Sequence, residues 1–310
     1  MVSEPTVLVV GAGGSAPYGY PSGSALVDEI VNGLSGTGAP LFVLLKRPGF
    51  NFSDADLSGF RDSLFQSRRY SIDLFLEKHP EYMEVGKAAI AGALIPREQN
   101  QVRSSDPTLD WYRYLFDRLA RNRNLNLKER LTILTFNYDR SLDHYLYQAF
   151  MHAYKLTSAE TYSIFDELVI LHLHGSLCTL PWQTKPPNDI PRPYGENAPG
   201  NSARQSAQGI RIIHELDPDD STFQKAHAAL ATARRVLFLG FGYEPTNVHR
   251  LLGKDNWLEA APLVNVHGTG YGLTQSEASD VKLMFKNRLQ ISGSKDDCLS
   301  LLRNSTALLS

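Results

Sequence analysis

Cysteine is nearly absent: two residues, Cys178 and Cys298, stand 120 positions apart in a chain of 310. They offer no disulfide framework and no pair at zinc-ligand spacing. Long hydrophobic runs are also missing. The longest, such as Thr6–Val10 and Leu41–Leu45, are far too short to cross a bilayer. A strand pattern starts within six residues of the first, so no cleavable leader fits, and a reducing cytoplasm is the expected compartment. Charge of one sign is lacking too. Lysine and arginine number 31 against 33 acidic residues, for a net charge of −2. That balance leaves no electrostatic footprint for nucleic acid or an anionic membrane, and neither is expected to bind directly.

What is present is ordinary globular composition, 42% hydrophobic and 21% charged, in a length that buries a sizeable core. TVLVV at Thr6–Val10 is short, β-branched and wholly apolar, which suits a parallel strand covered on both faces. It runs into GAGGSAPYGYPSG, read as a tight glycine turn, and then a helix with the stripe Leu26, Val27, Ile30, Val31 and Leu34, with Ser24 as its cap. Residues 50 to 125 read as helices broken at Pro80, Pro96 and Pro107, an inserted module covering one side of a sheet. Leu131–Leu134 resumes the sheet, and Leu168–Leu173, Val236–Leu239 and Leu263–Val266 continue it. Residues 180–210 read as a long loop, and 223–232, 276–289 and 296–303 as helices. The alternation predicts one α/β domain over 1–310: a doubly wound, mostly parallel, Rossmann-like sheet with the helical insertion at about 50–125.

Each predicted strand ends in small or polar residues: GAGGS, TFNYD, HGS, GFGYEPTN and HGTG. In open α/β sheets the ligand crevice lies beyond the carboxyl ends of the strands, so five such ends imply one crevice for an extended ligand. Gly11, Ala12, Gly13, Gly14 and Ser15 come close to the dinucleotide fingerprint, with Ala16 at its last position. No acidic residue follows a second strand about 20 residues later, so the dehydrogenase form is unsupported. Asn137 and Asp139, taken alone, do no more than turn the chain and cap a helix. His174, before Gly175, suits a general base at a strand end; His172, on the same strand face by period two, is the weaker competitor. Gly240, Gly242 and Asn247 make a second glycine turn.

In order, GAGGS with Gly19-Tyr20-Pro21, Thr135-Phe136-Asn137-Tyr138-Asp139, His174-Gly175 and the Gly240–Gly242 turn resemble the motifs of the Sir2 (sirtuin-like) superfamily. The resemblance departs from the deacetylases in three respects: the four zinc cysteines cannot be supplied, TFNYD replaces T-Q-N-I-D, and the helical module is additional. In these the chain looks like the Sir2-like NAD glycohydrolase effectors of prokaryotic antiphage defence. The resemblance implies NAD+ as substrate, no zinc and no other metal. The pyrophosphate falls to GAGGS and the adenosine half to Gly240, Gly242, Asn247 and His267, with Pro21 and Thr135 also among the NAD-binding residues. Asn137 is to position the ribose or a water, Asp139 the nicotinamide amide, and His174 is the base. A protein deacylase and a non-catalytic NAD or ADP-ribose sensor are the alternatives. An NAD-destroying enzyme must be silent until needed, so a homo-oligomer, or a partner such as an oligomeric ATPase or nucleic-acid sensor, is expected.

Overall fold

A computed structural model of the chain describes residues 4–99, 102–120, 130–183, 190–196, 200–212, 220–254 and 256–305. Six strands form one parallel sheet: β1 (Thr6–Val10), β2 (Leu131–Thr135), β3 (Val169–His172), β4 (Arg235–Leu239), β5 (Asn265–Gly268) and β6 (Leu289–Ile291). Their order is β3-β2-β1-β4-β5-β6, the doubly wound arrangement with its switch point beside β1. The Rossmann-like expectation is what the structure has.

Between β1 and β2 lie α1 (Ala12–Ser15), α2 (Gly23–Gly33), α3 (Pro40–Leu45), α4 (Asp54–Ser67), α5 (Ile72–Lys78), α6 (Met83–Leu94) and α7 (Trp111–Leu119). After β2 come α8 (Ser141–Tyr154) and α9 (Ser158–Glu167), and after β3 come α10 (Gly200–Gln208) and α11 (Ser221–Thr232). The chain closes with α12 (Pro245–Leu252), α13 (Trp257–Ala260), α14 (Gln275–Met284) and α15 (Cys298–Asn304).

Alternation along β1 divides the core. Leu8 and Val10 face α2 to α10 and α15, while Val7 and Val9 face α11 to α14. Every residue of β1 is buried, which is why it reads as an unbroken apolar run rather than an alternating one. The inserted helices therefore share one core with the sheet. Local signals set their ends. α4 starts at a capping box, with Ser53 and Asp56 bonded reciprocally, and stops where Arg68 turns left-handed.

Four expectations need correction. The cap of α2 is Ser22, whose hydroxyl accepts from the Ala25 N–H, not Ser24. GAGGS is a short helix capped by Gly11, not an open turn. The span 180–210 contains α10; its segments 184–189 and 197–199 lie outside the described residues. Residues 285–289 are not helical, because α14 stops at Met284 and β6 begins at Leu289.

Candidate functional site

Parallel pairing brings the strand ends level: Val10 stands opposite Thr135 on one side and Leu239 on the other, and Phe238 opposite Gly268. The residues that follow, Gly11, Phe136, Gly240 and Thr269, form one rim. The glycine-rich start of α1 and the Gly240–Gly242 turn are packed into each other there. A Cβ on Gly11 would lie 2.7 Å from the Gly240 carbonyl oxygen, and one on Gly240, at φ +58°, would lie 2.0 Å from the Gly14 nitrogen. Glycine is required at these points by the contact of two backbones.

Two adjoining cavities open on this rim. The first, of about 350 Å³, is lined by Ala12, Pro21, Asn137, Tyr138, Asp139, His174, Gly242, Glu244 and Asn247, with Asp73 arriving from α5. The second, of about 510 Å³, is lined by Gly13, Gly240, Thr269, Leu273, Asp297 and Cys298. They share Ala12, Ser22, Gly23, Phe241 and Gly242, so together they make one elongated crevice. Among its described lining residues are four carboxylates and no lysine or arginine.

Asn137 is fixed from both ends. Its backbone N–H donates to Thr135 Oγ1 at 3.0 Å, and its Nδ2 donates to the Gly11 carbonyl at 3.1 Å and Ser15 Oγ at 2.8 Å. With both amide hydrogens committed, Oδ1 is what it can offer a ligand. Asp139 Oδ1 accepts from the Ser141 N–H at 3.1 Å and from the Ser141 hydroxyl. Burial raises its pKa above the usual carboxylate range, against the pull of the bonds from Ser141 and Ser15. The cap residue of α8 is Arg140, one residue on; Asp139 instead accepts the first N–H of the helix, and its side chain lines the crevice as well.

His174 is 3% exposed, and its Nε2 has no hydrogen-bond partner. Burial, then the charges of Arg250 and Arg211, push its pKa down to about 3, so the imidazole is neutral at physiological pH. Phe136 packs edge-on against it with ring centroids 5.1 Å apart. His172 goes elsewhere, despite the period-two expectation, because β3 ends at His172 and the chain turns before Gly175, at φ +69°. Its Nδ1 lies 3.1 Å from the Asn137 carbonyl oxygen and its Nε2 3.2 Å from Asp143 Oδ2. Two acceptors demand two donors. Burial pulls the His172 pKa down, but Asp143 and the Asn137 carbonyl outweigh it and raise the pKa overall.

Of the residues expected at the site, Gly11, Ala12, Gly13, Pro21, Asn137, Asp139, His174, Gly240, Gly242 and Asn247 line the crevice. Thr135, Gly14 and Ser15 stand behind it: Thr135 and Ser15 hold Asn137, and the Gly14 carbonyl accepts from Trp111 Nε1 at 2.8 Å. His267 is not brought there. It lines a different cavity with Arg235, Leu237 and Gln290, because β5 continues to Gly268 and Thr269 takes the position at the rim. Thr269 Oγ1 accepts from the Gly240 N–H at 3.0 Å. The amides of Gly11, Gly13 and Gly14 are all bonded within the protein. Of the glycine-run amides, that of Ala12 is the one left to face a ligand.

The residues that sequence reasoning missed come mostly from the insertion. Tyr138 donates to Asp73. The Tyr112 hydroxyl lies 2.8 Å from Ser141 Oγ and 3.4 Å from Ser15 Oγ. Tyr18 stacks on Tyr112 at 3.6 Å, and its hydroxyl donates to Asp110. No spacing marks these residues in one sequence; a polar tip on the buried stripe of a helix is the only trace they leave.

Comparison with known proteins finds no matching family model and no matching curated protein. Among solved structures the chain is similar to a crystal structure of a Sir2 homolog–NAD complex, at 13% identity and a TM-score of 0.44, over 97% of this chain and 89% of that one.

Proposed function

We propose that the crevice binds NAD+ and cleaves its N-glycosidic bond, releasing nicotinamide and either ADP-ribose, by attack of water, or a cyclised form, by attack of the ligand's own adenine. The observation that carries this reading is His174: a neutral imidazole with an orphaned Nε2, buried in the same cavity as Asn137 Oδ1 and Asp139. A buried polar atom without a partner is costly and persists where a ligand supplies the partner.

In the reaction, the bond from the ribose anomeric carbon to the pyridinium nitrogen breaks and nicotinamide leaves with the electron pair as a neutral amine. No strong general acid is needed for that departure. A water oxygen, hydrogen-bonded to the unpartnered His174 Nε2, bonds to the same carbon, and its proton is released to solvent. Positive charge builds on the ribose, and the side-chain oxygens of Asp73, Asp139 and Glu244 around the cavity, with no cation among its described lining, favour that charge. Asn137 Oδ1, held immobile by the two bonds of its amide, orients the water or a ribose hydroxyl. The Ala12 amide and Pro21 fall to the pyrophosphate, and the Gly240–Gly242 turn with the second cavity to the adenosine half.

On this reading the protein is an NAD-depleting effector of antiphage defence, kept silent by its assembly or by a partner such as an oligomeric ATPase or nucleic-acid sensor. Nicotinamide release from NAD+ by the purified chain, alone, concentrated and with the products of neighbouring genes, tests it. Release that His174→Ala and Asn137→Ala abolish is expected. Absence of release in every state overturns it, and tight NAD+ binding without turnover selects the sensor reading instead.

A further inference from the structure

The insertion between β1 and β2 reaches the crevice through a chain of hydroxyl groups. Asn137 Nδ2 donates to Ser15 Oγ at 2.8 Å; Ser15 Oγ lies 3.4 Å from the Tyr112 hydroxyl; that hydroxyl lies 2.8 Å from Ser141 Oγ; and Ser141 Oγ donates to Asp139. One half of the chain has a fixed direction. The Ser141 hydroxyl donates to Asp139, so Ser141 Oγ is left to accept the Tyr112 proton. Each bond polarises the next, and in a dry interior such chains strengthen cooperatively. Tyr112 is wholly buried and clamped by other parts of the molecule. Tyr18 stacks on its ring, Trp111 abuts it edge-on at 4.6 Å while bonding the Gly14 carbonyl, and its own N–H donates to the Tyr18 hydroxyl at 2.7 Å.

We infer that Tyr112 is a positioning residue for the chemistry of this crevice, its hydroxyl holding Asn137 and Asp139 in one hydrogen-bonded group and making the helical insertion a working wall of the site. The inference rests on the reading of the crevice as an NAD-cleaving site, but its geometry does not. A cover that merely shielded the sheet would present an apolar side chain here. Instead α7 presents a hydroxyl that lies against both Ser15 and Ser141, the side chains that hold Asn137 and Asp139. The consequence is that any movement of α7 against α8 alters Asn137 and Asp139 together.

The test uses Tyr112→Phe, which keeps the ring and removes the hydroxyl, with Tyr114→Phe as a control on the same helix. Two measurements are made on the full chain. The first follows Asp139 by carbon NMR with labelled aspartate, its signal assigned by loss in Asp139→Asn. Losing the donor behind Ser141 raises the Asp139 midpoint by about one pH unit. An unchanged midpoint overturns the inference. The second is nicotinamide release. We expect kcat to fall about tenfold with KM within about twofold, the pattern of a lost transition-state interaction. Equal kcat in Tyr112→Phe and wild type also overturns the inference. If the wild type releases no nicotinamide while the Asp139 midpoint still shifts, the NAD-cleaving reading fails and the positioning of Asp139 by Tyr112 stands. Ser141→Ala cuts the same chain on its other side and repeats both changes if Tyr112→Phe does not fold.

Discussion

Replacing Gly240 by alanine tests whether the start of α1 and the Gly240–Gly242 turn are locked together. At Gly240 the backbone is left-handed, φ +58°, where a Cβ costs roughly 1–2 kcal/mol. The added carbon would also sit 2.0 Å from the Gly14 nitrogen and 2.3 Å from the Gly13 carbonyl carbon, so one backbone must retreat from the other. Overpacking of that kind adds about 1–3 kcal/mol. Together they make a destabilisation of roughly 2–5 kcal/mol. At a urea dependence of about 3 kcal/mol per molar, the unfolding midpoint falls by about 1 M. Gly242→Ala is the matched control: two residues on, no atom lies within 4 Å of its added Cβ, and the change should stay within about 0.5 kcal/mol. Urea unfolding followed by circular dichroism compares them. If Gly240→Ala unfolds at the midpoint of Gly242→Ala, the interlocked backbones are not what holds this rim.

Asn137→Ala removes the group argued to orient the reacting water, and nicotinamide release should fall about 100-fold or more, read by kcat. Glu98→Gln strips the carboxylate that pairs with both Arg140 and Arg192 in a fully buried cluster. Two uncompensated cations should then cost about 3–5 kcal/mol in the unfolding free energy, and a change under 1 kcal/mol would mean water reaches the cluster. His174 gives the protein a pH signature. Its folded pKa lies below the ordinary 6.5, near 3, so the unfolded chain binds the proton more readily. Stability should therefore decline as pH falls from about 6.5 towards 3, and His174→Phe should flatten that part of the curve. Identical pH profiles for the two proteins would place His174 in solvent.

Much of the fold was legible because its strands are buried on both faces. TVLVV and VLFL are short apolar runs that each end in glycine, and β1 and β4 sit where those runs lie. β6 was missed because LQI is three residues long with a polar centre, joined directly to the turn after α14. α10 was missed for a different reason. GNSARQSAQ buries Ala203, Ser206 and Ala207, and α10 packs on α6, a helix itself rich in buried alanine. Small residues let two helices approach closely, yet they leave no hydrophobic stripe for periodicity to detect. At the crevice, Asn137, Asp139 and His174 were legible because each ends or follows a strand. His267 misled because a polar residue near a strand end points to the rim only if the strand stops before it, and β5 runs on to Gly268. Tyr112 and Asp73 were hidden because their partners lie far off in sequence, and a helix pattern says which face is buried, not what a polar tip on it will touch.

Segment 190–196 has neither helix nor strand, and such stretches ordinarily open by local unfolding at little cost. Here Arg192 is anchored against that. Its guanidinium lies in the core on Glu98, its carbonyl accepts from Arg140 at 2.7 Å, and its amide donates to the Thr179 carbonyl at 3.0 Å. Freeing the segment means exposing Arg140, which stands next to Asp139 at the head of α8. In hydrogen exchange, the Arg192 amide should therefore behave as a core amide, exchanging with the strands and not with the surface loops, and a protease should find this irregular stretch closed until the whole domain opens.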